Sequence, residues 1–255
     1  MIRFITTFFF ILFFLCRGTC SAGPLQDGGF LTASKDTETT LMNTVNTGDL
    51  AKVKALIEKN PSLAKEPVGM LRAVIKNRID IVNYLLSKGA DVNAYMDPKE
   101  TVLMSSCRLG DSHFKMTEYL LAQGASVQAK NYSGDSVLVY AIRGCFQSIE
   151  AGEKSSPPYE TIKLIISKGV AANSANDRGE TPLMAEIRGW AGCFGCNPAV
   201  VKLLLENGAD VNARNKNGMT ALTIALESRK SVSSDKILIK RVDDCILLLK
   251  KAGAK

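Results

Sequence analysis

Apolar residues recur along this chain at helical spacing, in blocks that repeat one another. Ile81, Val82, Leu85 and Leu86 form one stripe; Met116, Thr117, Leu120 and Leu121 hold the same relative positions in a second, and Val200, Val201, Leu204 and Leu205 in a third. Each pattern predicts an amphipathic helix whose stripe lies in a core. The blocks also end alike, as Leu85-Leu86-Ser87-Lys88-Gly89-Ala90-Asp91, Leu120 to Ser126, Ile165 to Val170, Leu204 to Asp210 and Leu249 to Ala254. Upstream, Gly48-Asp49-Leu50 opens a helix whose Leu50, Val53, Leu56 and Ile57 share one face, and Asn60-Pro61-Ser62-Leu63 stands where the others have Gly-Ala-Asp. A degraded end of this kind suits a terminal, capping unit.

The glycine after each stripe suits a left-handed helix C-cap, which penalises a residue carrying Cβ. A second helix precedes each stripe. Thr181-Pro182 opens the clearest one, with Thr available to cap free N–H groups and Pro suited to the first turn. Thr101-Val102, Ser136-Val137 and Thr220-Ala221 are weaker equivalents, and the unit holding Leu71 to Ile75 has lost the signature. The run Thr181-Pro182-Leu183-Met184-Ala185, followed by Val200 to Ala213, resembles the ankyrin repeat. The resemblance implies an all-α solenoid of about six helix-turn-helix units with short β-turn tips, covering residues 40–255. One such unit cannot bury its apolar faces alone, so the array is expected to fold through its neighbours.

From opening Thr or Ser to closing Gly the count is 23 residues in the unit begun by Thr101, then 33, 27 and 33 in the next three, against about 21 in a regular unit. The excess predicts long inter-helix loops at Cys145 to Pro158, Trp190 to Asn197 and Arg229 to Lys240. Long loops in a compact array are commonly functional or mobile.

The N-terminus reads differently. Arg3, the apolar run Phe4 to Leu15 and Cys20-Ser21-Ala22 match a secretory signal peptide over residues 1–22, with a linker over 23–39. The apolar run is too short to span a bilayer, and the residues before Cys16 and Cys20 do not suit lipid attachment, so no stable membrane anchor is expected. The expected location is the periplasm, or secretion beyond it. With Arg3 and Arg17 removed, the formal charge of +7 falls by two, to +5. Lys and Arg are scattered among acids, with no basic run, which gives no support for nucleic-acid binding.

Catalytic chemistry has few candidates. His113 is the sole histidine, falls in an inter-helix turn and reads as an exposed turn residue, and no nucleophile elbow or phosphate-binding glycine loop is present. A non-enzymatic protein without a cofactor is expected. Of the five cysteines beyond residue 22, Cys107 and Cys245 hold packing slots. Cys145, Cys193 and Cys196 fall in the expanded loops, where export favours a disulfide between two of the three. Free thiols, a redox pair at Cys193-Phe194-Gly195-Cys196 and a metal site are the alternatives; the strand a thioredoxin-like motif requires is missing.

In ankyrin proteins the tips and the outward part of each first helix recognise partners. Carried over by position, this implies Asp97, Pro98 and Glu100; Tyr132, Ser133 and Asp135; Asp177, Arg178 and Glu180; and Lys216, Asn217 and Met219 at the tips. Seven residues after each opening Thr or Ser stand Arg108, Arg143, Arg188 and Glu227. Three guanidinium groups in successive units would suit an acidic patch on a protein partner. Tyr132 and Trp190 are aromatic anchor candidates. The resulting expectation is a monomeric binding protein that restrains or assists a co-encoded secreted enzyme, such as a phospholipase, or a toxin. An oxidative-stress role through Cys193 and Cys196, or a general envelope scaffold, is the alternative.

Overall fold

The computed structural model describes residues 35–96, 99–150, 159–189, 196–232 and 235–255. Twelve α-helices among them pair into six units: α1 (Lys35–Thr47) with α2 (Leu50–Lys59), α3 (Pro67–Ile75) with α4 (Ile79–Ser87), and α5 (Val102–Arg108) with α6 (Phe114–Ala122). The series continues with α7 (Val137–Glu150) and α8 (Glu160–Ser167), α9 (Pro182–Arg188) and α10 (Pro198–Glu206), then α11 (Ala221–Ser231) and α12 (Lys236–Lys251). First helices stack on one another from α1 through α11, while α2 packs on α4, α6 on α8 and α10 on α12. The stripes read from sequence are core: Ile81, Val82, Leu85, Met116, Leu120, Val200, Val201 and Leu204 are fully shielded from solvent.

Local chemistry sets the helix starts. Thr101 Oγ1 accepts from the Met104 N–H at 3.2 Å and Thr181 Oγ1 from Met184 at 3.3 Å, while Thr220 and Thr223 cap reciprocally. In α3, Pro67 occupies the first turn without a side-chain cap, which explains why the Thr signature is missing there. The units are fastened by side-chain amides at equivalent positions. Asn93 accepts from the Ser126 N–H at 2.7 Å, Asn173 from Asp210 at 2.7 Å and Asn212 from Lys255 at 3.0 Å. Gly144 allows α7 to lie close on α5, since a Cβ there would fall 2.4 Å from the Cys107 carbonyl.

Three expectations need correction. The linker boundary at residue 39 cuts through α1, whose Leu41 and Val45 are fully buried, so residues 35–39 belong to the first helix rather than to a linker. The loop expected over Arg229 to Lys240 is mostly helix: α11 runs to Ser231 and α12 restarts at Lys236, with Asp235 accepting from Ile237 and Leu238. Likewise α7 runs on to Glu150, through the first part of the expected loop at Cys145 to Pro158. Extended helices absorb these added residues because each continued turn satisfies its own backbone.

Candidate partner-binding surface

The tips are built by a repeated Asn-x-x-Gly turn. Asn131 Oδ1 accepts from the Ser133 and Asp135 N–H groups, both at 2.9 Å. Asn176 does the same for Arg178 and Glu180 at 2.9 and 3.0 Å, and Asn215 for Asn217 and Met219 at 3.0 Å each. Gly134, Gly179 and Gly218 complete the turns at φ of 76°, 75° and 75°. In the preceding unit the tip is a two-stranded hairpin, β1 (Tyr95–Met96) and β2 (Glu100–Thr101), pairing Tyr95 with Thr101 and Met96 with Glu100. Lys99, at φ 65°, occupies the glycine position there. Consecutive tips are joined by backbone, the Asp177 N–H donating to Ser133 O at 3.0 Å and the Lys216 N–H to Arg178 O at 2.9 Å.

The arginines expected to form a bare ladder are instead paired within their own units. Arg108 bonds Glu100 at 3.1 Å, Arg143 bonds Asp135 at 2.7 Å and Arg188 bonds Glu180 at 2.8 Å. In each case the acid stands just before the Thr or Ser that precedes the first helix and the arginine eight residues on, so the hairpin folds the carboxylate back over that helix. Asp135 and Glu180 are therefore buried, at 4 % and 7 % exposure, and are structural rather than open partner contacts. Arg143 also lies over the Tyr140 ring, 5.3 Å from its centroid. Burial, with the Glu100 charge nearby, pushes the Tyr140 phenol above its ordinary range.

One carboxylate is shared. Glu180 receives Arg188 on Oε1 and Arg178 on Oε2, the latter at 3.1 Å, and the Arg178 side chain remains 70 % exposed. Ile142, Arg143, Arg178, Glu180, Ala185, Arg188 and Gly189 line a hollow of about 160 Å³. Arg178 and Arg188 there share the single Glu180 carboxylate, which leaves a positive excess, while Arg143 is held by Asp135. Apolar surface lies on the neighbouring tips, where Tyr132, Tyr95 and Met96 are 62 %, 51 % and 38 % exposed. Lys216 and Asp177 are exposed and Met219 is half-buried. Asp97, Pro98 and Trp190 lie outside the described residues. Tyr95 and Met96 were missed by position-by-position transfer, although their place beside an expected tip was the available signal.

His113 is not an open turn residue. It ends a short 3₁₀ helix, Gly110–His113, and its Nε2–H donates to the Ile75 carbonyl of the preceding unit at 3.2 Å. Burial lowers its pKa, partly offset by the Ile75 and Val74 carbonyls. Cys107 packs in the core, where burial pushes its thiol up to about 12. Cys196 is a buried free thiol and stands against Cys245. Cys193 and the Cys145 side chain lie outside the described residues. No group of three metal-binding side chains occurs among the described residues, and no helix among them is long and apolar enough to cross a membrane.

The family model for ankyrin repeats in three copies matches residues 70–151 and 149–245. A probable E3 ubiquitin-protein ligase of Oryza sativa subsp. japonica is 28% identical over 210 residues, covering 68% of this chain and 39% of its own. An E3 ubiquitin-protein ligase of Arabidopsis thaliana is 30% identical over 196 residues, covering 68% and 36%. A putative ankyrin repeat protein of fowlpox virus is 29% identical over 164 residues, covering 62% and 42%. The chain thus spans about two fifths of the length of these relatives.

Proposed function

Since the chain belongs to the ankyrin-repeat family, whose repeats are protein-interaction modules, we propose that it binds an acidic segment of one protein partner across the tips of its third to fifth units. The observation that carries this reading is the Glu180 fork. Two arginines on one carboxylate leave guanidinium donors and net positive charge at the mouth of the hollow, suited to a carboxylate side chain. Tyr132, Tyr95 and Met96 supply the apolar contact that such a polar centre needs beside it.

The proposal extends to setting. The apolar run Phe4 to Leu15 behind Arg3 supports export, and the proposed destination is a periplasm of Gram-negative type. There the chain would act without catalysis, as an inhibitor, immunity or accessory factor of a co-encoded secreted enzyme, such as a phospholipase, or of a toxin. The test is co-purification from an envelope fraction with wild-type protein and with Arg178→Glu/Arg188→Glu. The variant is expected to keep its helical circular dichroism and lose a single stoichiometric partner, whose binding to wild type weakens with salt. Equal capture by both proteins would reject this surface, and many substoichiometric species would favour a scaffold.

A further inference from the structure

The core between the last two units holds chemistry that partner binding does not use. Cys196, just before α10, and Cys245, in the middle of α12, are 2 % and 0 % exposed, and their side chains lie against each other. Beside them lies Glu186 of α9, fully buried. Its Oε1 accepts from the Asn197 N–H at 2.8 Å, its backbone carbonyl accepts from the Cys196 N–H at 3.1 Å, and its Oε2 has no partner. Cys196 is held here at φ 84°, in the left-handed region that residues with a Cβ avoid. Two hydrogen bonds to Glu186 thus lock a strained backbone that presents one sulfur to another.

We infer that Cys196 and Cys245 form a dithiol site that closes into an internal disulfide by exchange with a disulfide-bearing oxidant. Cys196, at the edge of the core, attacks one sulfur of the oxidant as thiolate and displaces a thiolate, which takes up the proton Cys196 gave up. Cys245 then attacks the Cys196 sulfur of the mixed disulfide, and the second departing thiolate takes the Cys245 proton. Two protein thiols lose two electrons and two protons, and the oxidant's disulfide gains both as two thiols. The adjoining Cys196 thiol and burial push the Cys245 thiol up, which fits its role as second attacker. The product closes a loop of about fifty residues and pins the start of α10 to α12.

The experiment equilibrates the full chain with oxidised glutathione, then maps disulfides by mass spectrometry without reduction and follows melting. A Cys145→Ser/Cys193→Ser variant keeps only Cys107, Cys196 and Cys245 beyond residue 22, and leaves the buried pair untouched. In both proteins a peptide linking Cys196 to Cys245 is expected, with Tm raised by roughly 5–10 °C over the reduced form. The rise should vanish in Cys196→Ser and in Cys245→Ser. Linkage of Cys196 to Cys193 or Cys145 in wild type would overturn the assignment. So would both buried thiols remaining fully alkylatable after oxidation in the double variant.

Discussion

Asp135 joins two neighbours at once: Oδ2 accepts from Arg143 of its own unit at 2.7 Å, and Oδ1 accepts from the Asn176 carboxamide of the next tip at 2.8 Å. The acid that neutralises a mostly buried arginine therefore also fastens adjacent tips. Asp135→Asn would remove the carboxylate charge that pairs with Arg143, whose side chain is 15 % exposed. Urea denaturation is expected to show a loss of about 2–4 kcal/mol. Arg178→Ala, whose side chain is 70 % exposed, should cost less than about 0.5 kcal/mol in the same assay.

Tip glycines differ in what surrounds them. At Gly134 a Cβ would fall 2.8 Å from the Asp177 amide nitrogen, whereas at Gly218 nothing lies within 4 Å; both have positive φ. Gly218→Ala should therefore carry only the backbone penalty, about 1 kcal/mol. Gly134→Ala adds displacement of the next tip and should cost about 2–4 kcal/mol by chemical denaturation.

Burial pushes the Glu186 carboxyl up to about 8, against an ordinary 4.5, while the Asn197 N–H pulls the other way. The folded state therefore holds a proton that the unfolded chain releases. Its contribution is intact below pH 4.5, is lost progressively as pH rises to about 8, and is flat above that. Glu186→Gln keeps the Asn197 contact without the ionisation. Its Tm should match wild type near pH 4.5 and exceed it at pH 8.5, by an amount worth on the order of 2 kcal/mol or more.

His113 works in the opposite direction. Burial holds its pKa below the usual 6.5, so the unfolded chain takes up a proton that the folded one refuses. Stability from this group is present above pH 6.5 and declines as pH falls below it. His113→Gln can still donate to Ile75, and its Tm should fall less than that of wild type between pH 7.5 and 5.

Much of the fold was legible because the repeat writes each stripe several times; Val200, Val201 and Leu204 confirm what Ile81, Val82 and Leu85 suggest. The first helix was hidden because Leu41 and Val45 are only two buried positions in a polar stretch, and the expected linker boundary at residue 39 fell inside it. The tips' Asn-x-x-Gly turns were present in the text at Asn131, Asn176 and Asn215. The arginine pairing was not: Glu100 and Arg108 are eight residues apart, outside the three- and four-residue spacings of helix-surface pairs, and meet only because the hairpin folds back. Cys196 and Cys245 come together through packing between units, which single-helix periodicity does not encode.

Where the fifth unit places Glu180 and Arg188, the last places Met219 and an exposed Glu227. Along the first-helix row the arginines of three successive units thus give way to an anion in the last. The strip is a vector: a bound segment whose acids sit at one end and whose base sits at the other has a single favourable head-to-tail sense, and its reversal would set like charge against like at both ends.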